Sequence, residues 1–167
     1  MTRTAQYWIS KLQLNKHPEG GYYKEVYRSN EFVHKKNLPD RYSSFRSFST
    51  SIYFLLESNA FSAFHRLKSD EIWHFYEGSA IHIVMILPNG TFKKVVMGRD
   101  GEHDLVYQAL ILKGCWFAAH VQDGNSFSLV GCSVSPGFDF EDFELGTREG
   151  LIKLFPQHAE LIRTFTR

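Results

Sequence analysis

The chain has 167 residues, of which 43% are hydrophobic and 22% are charged, a composition typical of one globular domain rather than of a disordered chain. Nineteen basic and eighteen acidic side chains give a net charge of +1, so the basic excess with which proteins bind nucleic acid or anionic membranes is missing. No apolar run approaches the ~20 residues of a membrane span, and the N-terminus has no apolar signal core. These features predict a soluble, cytoplasmic protein that binds neither nucleic acid nor membranes.

The N-terminal part of the chain predicts one helix and one strand. Apolar residues gather on one side of a helical wheel over residues 4–12, which favours a short helix there. This helix ends before the segment 17–21, His-Pro-Glu-Gly-Gly, because proline and paired glycines interrupt helices. Aromatic and β-branched residues then predict a strand over 22–28. The polar stretch 29–44 is the longest candidate loop.

From residue 48 to residue 135 the sequence is dense with short apolar segments separated by turn residues. Eight strands are predicted, over 52–56, 61–67, 71–76, 81–87, 91–97, 105–112, 116–121 and 126–135, and one of the turns between them is expected over 98–101. Strands at this spacing are typical of an antiparallel sandwich or barrel. The segment 138–144 is acidic and aromatic, and helical pieces are predicted over 151–155 and 159–165.

The predicted elements fit one mainly β domain over residues 1–167. We expect a barrel core at about 46–136, with a helix and a strand within 1–45 before it. The remaining residues, 137–167, are expected to form a segment that docks on the barrel, followed by short helices.

Functional groups are concentrated in residues 61–78. Alternate side chains of a strand share a face, so His65 lies on a uniformly apolar face that points inward. Glu71 begins another apolar strand, where a carboxylate is costly to bury without a partner. His65 and Glu71 are therefore the simplest pair for one site. His74 falls on the face opposite Glu71, so it reaches that site only through a bulge and otherwise serves a subunit interface.

The spacing of these residues resembles the first motif of the cupin superfamily. In that motif a His-x-His pair precedes a glutamate, and a glycine follows after six intervening residues; His65 and Glu71 match, and Leu67 stands at the second histidine. Residues 112–114, Leu-Lys-Gly, resemble the Pro-x-Gly turn of the second cupin motif, whose metal-binding histidine falls on Phe117. Two of the four positions of the usual three-histidine-one-glutamate cage are thus unsuitable as metal ligands.

A closer resemblance covers nearly the whole chain. The segments 17–23, 46–56, 65–75 and 130–145 resemble the small cupins that are described as predicted sugar epimerases. This resemblance implies a cupin-type antiparallel β-barrel (a double-stranded β-helix or jelly roll) with short N- and C-terminal helices, usually in a dimer. The description as an epimerase rests on sugar-nucleotide epimerases of the same fold. The chain departs from this branch at 112–113, where Pro-Ala is common, and at Phe117, where glutamine is common.

The preferred hypothesis is metal-independent proton transfer on a sugar or sugar derivative, as in an epimerase or isomerase. Histidine titrates near neutral pH, so His65 suits the role of base, with Glu71 orienting it or raising its basicity. A tyrosine supplies the acid from the opposite face; the candidates are Tyr53, Tyr76 and Tyr22. Other ligand-binding candidates are a guanidinium, residues near the barrel mouth and rings that stack on a sugar, namely Arg46, Glu19, Tyr22, Trp73, His74, Trp116 and Phe117.

Other interpretations remain open. The aromatic rings also suit core packing, and Arg46 also suits an ion pair with a strand carboxylate. One alternative function is a non-catalytic pocket for a carbohydrate or another small polar ligand. The second alternative is a metal-dependent isomerase or oxygenase whose ligands are His65, Glu71, His74 and His120. The residues at the cage positions argue against a metal, so no cofactor is expected, and the expected partners are a sugar-like small molecule and a second copy of the chain.

Overall fold

The N-terminal helix forms where the sequence predicts it. The structure, a computed structural model, describes residues 3–99 and 105–167. Helix α1 spans Ala5–Leu12, and its first turn is capped by Thr4, whose hydroxyl accepts a hydrogen bond from the backbone N–H of Tyr7. The helix ends at Gln13, which adopts a left-handed conformation with φ of 55°. The prediction of a helix over 4–12 is therefore confirmed.

Thirteen strands and two further helices are found among the described residues. The strands are β1 Asn15–Lys16, β2 Tyr22–Arg28, β3 Phe32–Val33, β4 Arg46–Ser47, β5 Thr50–Glu57, β6 Phe61–Leu67, β7 Asp70–Gly78, β8 Ile81–Ile86, β9 Phe92–Met97, β10 Gln108–Ile111, β11 Trp116–Val121, β12 Phe127–Ser135 and β13 Phe143–Leu145. The helices that follow are α2 Arg148–Leu154 and α3 Ala159–Thr164. None of the helices within the described residues combines the length and apolar character that crossing a bilayer requires.

Most strands lie in two antiparallel sheets. The six-stranded sheet has the order β1-β2-β5-β12-β7-β10, and the five-stranded sheet has the order β13-β6-β11-β8-β9. Strands β3 and β4 form a small separate ribbon. The main core contains side chains from both large sheets, such as Phe54, Trp73 and Ile83, so the two sheets pack face to face. The prediction of a mainly β jelly roll with short terminal helices is confirmed.

The C-terminal segment covers the outer face of the five-stranded sheet. Helices α2 and α3 contribute Leu151 and Ile162 to a second core, which also contains Phe64 and Trp116 from the sheet. Helix α2 begins after Thr147, whose hydroxyl accepts a hydrogen bond from the N–H of Gly150. The strand β13 precedes these helices and pairs with β6 at the edge of the sheet. The segment that was expected to dock on the barrel thus extends one of its sheets.

Two sequence predictions need adjustment at this level, and a third is only partly covered by the described residues. The predicted loop over 29–44 contains the strand β3, which pairs with β4 across the loop. The strand predicted over 105–112 is shorter and spans only Gln108–Ile111. Part of the turn predicted over 98–101 lies outside the described residues. The reason for the first difference is that the pairing partner of a two-residue strand is set by distant residues, which a local pattern does not contain.

Candidate functional site

A cavity of about 340 Å³ lies between the two sheets. Its walls include side chains from β2, β5, β6, β7 and β12, together with the aromatic residues that follow β12. The lining residues are His17, Glu19, Tyr23, Glu25, Arg28, Thr50, Ile52, Phe54, His65, Leu67, Glu71, Trp73, Cys132, Val134, Phe138, Asp139, Phe140 and Phe143. The cavity therefore combines aromatic walls with a small number of ionisable groups, which is the usual make-up of a small-molecule site.

Glu19 enters the cavity from the turn that precedes β2. The two glycines after it have positive φ values of 116° and 73°, and a Cβ on Gly20 would lie 2.2 Å from the carbonyl oxygen of Phe61. This close approach lets the carbonyl of Glu19 accept a hydrogen bond from the N–H of Ala63 at 2.8 Å. The turn is thereby fixed against β6, and the Glu19 side chain is directed inward with only 5% of the residue exposed.

Glu19 and His65 form a buried pair. Nε2 of His65 lies 3.1 Å from Oε2 of Glu19, and the hydroxyl of Ser62 donates a hydrogen bond of 2.7 Å to Oε1. Ser62 and His65 are three residues apart, so strict alternation would direct them to opposite faces. A shift in register between β6 and β11 interrupts the alternation, and both side chains reach Glu19.

The contact between His65 and Glu19 requires a proton. Nδ1 of His65 lies 2.7 Å from the carbonyl oxygen of Ala63, to which it can only donate. Nε2 then approaches a carboxylate oxygen favourably only when one proton lies between the two atoms. Burial opposes ionisation of Glu19, but the charge of His65 and hydrogen bonds from His17 and Ser62 outweigh it, so the pKa of Glu19 lies below its ordinary value. Burial lowers the pKa of His65, and the Glu19 carboxylate only partly offsets this effect. The pair therefore holds a proton that it can release.

His17 packs beside this pair. Its Nδ1 lies 3.3 Å from Oε2 of Glu19, and its side chain is 7% exposed. The ring contacts Tyr23 edge-on at a centroid distance of 4.6 Å and stacks on Phe140 at 6.2 Å. These rings fix the imidazole on the side of Glu19 away from bulk water.

Glu71 faces the same cavity from the six-stranded sheet. Its Oε2 atom and the indole Nε1 of Trp73 are buried and have no hydrogen-bond partner among the described residues. Burial raises the pKa of Glu71 to about 8, and the charge of Glu19 adds to this increase, whereas the Trp73 indole and the Cys132 thiol oppose it through contacts that fall short of full hydrogen-bond geometry. Glu71 is thus mainly protonated at neutral pH. Glu71 and Trp73 thus lie close together but satisfy each other only weakly, and this indicates a position for a ligand's hydrogen-bonding atoms.

Charged residues also line the cavity at its rim. Nε and Nη2 of Arg28 donate to both carboxylate oxygens of Glu25, at 3.0 and 2.7 Å, and Nη2 also donates to the carbonyl of Phe138 at 3.0 Å. Asp139 lies close enough for its charge to act on Arg28. The rim is therefore polar, but its guanidinium is already paired.

Comparison with known proteins identifies the family. The sequence profile described as "Cupin superfamily (DUF985)" matches residues 6–146, which is most of the chain. The chain belongs to this cupin family. The membership predicted from the residues around His65 and Glu71 is thus confirmed.

Relatives of this cupin occur in distant organisms. The protein named "Uncharacterized protein YML079W" from Saccharomyces cerevisiae is 32% identical over 149 residues, covering 83% of this chain and 73% of that protein. The crystal structure of protein SO0799 from Shewanella oneidensis has 38% identity and a TM-score of 0.90, with 99% of both chains covered. A hypothetical protein from Leishmania major has 36% identity and a TM-score of 0.89, with 98% of both chains covered.

One of the more distant solved structures is named as an enzyme, and its similarity to this chain is limited to the fold. Oxalate decarboxylase from Bacillus subtilis has 15% identity and a TM-score of 0.55, and the match covers 90% of this chain but only 36% of that protein. At this identity the likeness carries no information about the reaction.

The side chains at the usual cupin ligand positions do not fit a metal cage. Leu67 lines the cavity and Phe117 is 1% exposed, and neither offers a donor atom. Nε2 of His65 is engaged by Glu19 instead. In the part of the chain that the structure describes, no group of three or more His, Cys, Asp or Glu residues is arranged so that it could hold a metal ion. The expectation of no bound metal stays a prediction for elemental analysis.

Arg46 does not line the cavity. It is 2% exposed, and its Nε and Nη2 donate to the two carboxylate oxygens of Asp142 at 2.6 and 2.7 Å. The carboxylate of Glu141 lies 3.2 Å from Nη2, and Nη1 donates to Ser44 at 2.6 Å. The expected role in ligand binding is therefore corrected to an ion pair, which fixes the segment after β12 against the start of β4.

Four other candidates belong to the outer side of the six-stranded sheet. Tyr22 and Tyr53 pack against the core beneath α1, and the rings of Tyr53 and Tyr76 are 6.0 Å apart. His74 lies 3.1 Å from the amide nitrogen of Gln108. The pairing of β7 with β12 is regular from Glu71 to Phe75, so no bulge turns His74 toward Glu71. The expectation that Tyr22, Tyr53, Tyr76 and His74 face the pocket is therefore wrong.

The candidates on β11 have separate positions. Trp116 is buried in the core beneath the C-terminal helices, and His120 on the same face stacks on Phe165 at 5.5 Å. Neither residue reaches the cavity, so His120 cannot join His65 as a metal ligand. Phe117 faces the main core, where its ring lies 4.0 Å from the ring of His65. It thus acts as a packing partner of His65 rather than as part of the cavity wall.

The residues brought together are therefore Glu19, His65, Glu71 and Trp73, all of which the sequence proposes. The sequence does not single out His17, although it shares a turn with Glu19 and lies against it. The signal that could have found it is the glycine pair after Glu19, because a turn that needs two positive φ values holds its neighbours in fixed positions.

Proposed function

We propose that this protein catalyses metal-independent proton transfer on a small carbonyl compound of the sugar type, as an epimerase or isomerase does. The observation that carries the proposal is the Glu19–His65 pair, which holds one proton, in the same cavity as a neutral Glu71. One group able to accept a proton and another able to donate a hydrogen bond are what enolisation next to a carbonyl requires.

His65 is the proposed base. The pair acts as a base in the state in which the proton between Nε2 and Oε2 of Glu19 has left, because Nε2 then has a free lone pair for the proton from carbon. Burial lowers the pKa of this imidazole and so favours that deprotonated state. Glu19 then stabilises the imidazolium that forms, as the carboxylate next to a catalytic histidine does in other enzymes. The hydrogen bond to Ala63 holds the ring in one orientation during the transfer.

Glu71 is the proposed hydrogen-bond donor to the substrate oxygen. A carboxyl group with a pKa of about 8 is mostly protonated at neutral pH, so it donates to a carbonyl oxygen and to the enolate that follows. The indole N–H of Trp73, which has no partner among the described residues, supplies a second donor on the same strand face. Both groups stabilise charge that develops during the reaction.

The sugar-like substrate is supported by the walls of the cavity. Phe54, Tyr23 and Phe140 offer apolar ring surfaces that suit the C–H face of a sugar, and polar groups are restricted to a few positions. The resemblance to predicted sugar epimerases agrees with this substrate class, although a shared fold alone would not support it.

Exchange of carbon-bound protons tests the proposal. The protein is incubated in heavy water with free aldoses and ketoses, and loss of the proton signal next to the carbonyl is followed by NMR. We expect His65→Gln, which removes the base, and Glu71→Leu, which removes the donor, each to lower the exchange rate by at least ~100-fold. Tyr76→Phe is the control, since that residue lies on the outer side of the sheet, and its rate should be unchanged. Exchange by wild type that persists in His65→Gln would contradict the assignment of the base.

A non-catalytic binding pocket is the second candidate. Oε2 of Glu71 and Nε1 of Trp73 need a ligand's polar atoms whether or not the ligand reacts. Sugar binding by wild type with no proton exchange above the uncatalysed rate would favour this candidate over the enzyme.

A homodimer is the proposed assembly. Ile72 and Leu110 are paired across β7 and β10 on the outer side of the six-stranded sheet, and they are 40% and 55% exposed. Apolar side chains of this kind suit a subunit interface. Sedimentation equilibrium of wild type and Leu110→Asp tests the assembly, and a monomeric wild type would refute it.

A further inference from the structure

The size of the cavity limits the ligand. A cavity of about 340 Å³ lies near the lower end of the roughly 300–1,000 Å³ that small-molecule sites span. A single sugar ring or an open-chain monosaccharide is of this size. A sugar nucleotide is several times larger, so most of it would have to lie outside the walls.

The charges in the interior of the cavity do not suit an anion. Glu19 is ionised and shares a proton with His65, so this pair carries no net positive charge. Glu71 is neutral, and any ionisation would make it an anion. Among the described lining residues the interior thus holds two carboxyl groups and no lysine or arginine with which to bind a phosphate.

The charges at the rim of the cavity do not suit an anion either. Arg28 is the one lysine or arginine among the described residues that line the cavity. Its Nε and Nη2 edge is occupied by Glu25, Nη2 also donates to the carbonyl of Phe138, and Asp139 adds a further negative charge beside it. Arg46, which the sequence suggested as an anion-binding group, is buried against Asp142 away from the cavity. The rim at Arg28 thus carries one cation against two carboxylates, and it offers an anion no unpaired guanidinium edge of the kind that binds phosphate bidentately beside Glu25.

We propose that this pocket takes an uncharged monosaccharide, or a polyhydroxy carbonyl compound of the same size, and rejects phosphorylated and nucleotide-linked sugars. This inference rests on the proposed function for the site, because the proposed proton transfer requires a ligand that contains a carbonyl group. It separates the protein from enzymes that act on sugar nucleotides, which need cationic side chains for the diphosphate.

The test measures binding at Trp73 and does not depend on turnover. The chain has three tryptophans, so ¹⁵N-labelled protein gives three indole N–H signals, and the one missing in Trp73→Phe belongs to the cavity wall. Glucose, mannose and fructose are titrated, followed by their 6-phosphates and by UDP-glucose. We expect the Trp73 signal to shift with at least one free sugar, and its phosphate to bind at least about tenfold more weakly.

Two matched variants test the charge argument. Glu25→Gln releases Arg28 at the rim, and we expect the discrimination against the phosphate to fall by about tenfold. Glu144→Gln is the control, because Glu144 pairs with Arg66 through its Oε2 atom and does not line the cavity, and it should leave the discrimination unchanged.

The outcomes separate this inference from the proposed function. Equal or tighter binding of a sugar phosphate or UDP-glucose would overturn the inference, and so would the absence of a Trp73 shift with every free sugar. Binding of a free sugar without proton exchange in heavy water would leave the inference standing and would refute the proposed catalysis.

Discussion

The protonation of Glu71 has a direct consequence for stability. Burial raises the pKa of this carboxyl from 4.5 to about 8, so the folded chain retains a proton that the unfolded chain releases above about pH 4.5. The contribution of Glu71 to the free energy of unfolding is then greatest at low pH, and it falls as the pH rises from about 4.5 to about 8. Glu71→Gln removes the titration while it retains a neutral polar side chain of the same size.

The magnitude follows from the two pKa values. Each pH unit between them lowers the free energy of unfolding by about 1.4 kcal/mol, and the whole interval amounts to about 5 kcal/mol. Glu71 is only 7% exposed, so solvent screening reduces this effect little. We expect Glu71→Gln to gain stability relative to wild type, by about 1.4 kcal/mol for each pH unit between pH 5 and pH 8.

Urea denaturation followed by tryptophan fluorescence at pH 5, 6, 7 and 8 measures this difference. Glu31→Gln serves as the matched control, since Glu31 is exposed and a surface substitution of this kind should change the free energy of unfolding by less than about 0.5 kcal/mol. Curves for Glu71→Gln and wild type that remain parallel from pH 5 to pH 8 would refute the claim that Glu71 is neutral in the folded protein.

Three further substitutions have defined outcomes. Glu19→Gln should show the opposite pH dependence, because the pKa of Glu19 is lowered and its contribution to stability is lost as the pH falls; urea denaturation between pH 3 and pH 7 measures it. Arg46→Ala should lower the free energy of unfolding by about 3 kcal/mol, because it removes two short hydrogen bonds from the buried Asp142 carboxylate and leaves it only the longer contact with Lys68 at 3.5 Å. A loss below about 1 kcal/mol, the size expected for an exposed ion pair, would contradict this. Gly20→Ala should cost roughly 1–3 kcal/mol through its positive φ and the contact with a carbonyl oxygen, whereas Gly124→Ala, which has open space around it, should change the thermal midpoint little.

Local patterns predict the strands of this protein well, and they predict one wall of the site. The alternation within β7 correctly groups Glu71 with Trp73 and directs His74 to the other face. This succeeds because β7 pairs regularly with its neighbour over those residues. The same reasoning fails for Ser62, because the register shift in β6 depends on how β11 lies beside it.

The partners of charged residues are harder to predict than the strands. Arg46 pairs with a carboxylate 96 positions along the chain, and Glu19 contacts His65 across 46 residues and two sheets. Sequence spacing carries no information on such pairs until the topology is known. For this reason the sequence leaves ligand binding and an ion pair both open for Arg46, and it predicts the carboxylate of Glu71, rather than that of Glu19, beside His65.

The apolar residues at the two missing cage positions also account for the protonation of the site. Leu67 lines the cavity, and the ring of Phe117 lies 4.0 Å from that of His65, so water and polar partners are excluded from this side of the imidazole. Burial is the largest cause of the pKa shifts of both His65 and Glu71, and it moves the histidine and the carboxyl toward their neutral forms. The replacements that remove metal donors thus also create the environment in which a neutral carboxyl and a weakly basic imidazole persist near pH 7. Leu67 and Phe117 thus have two effects in this site: they offer no metal donor, and they desolvate His65 and Glu71, on which the proposed acid–base chemistry depends.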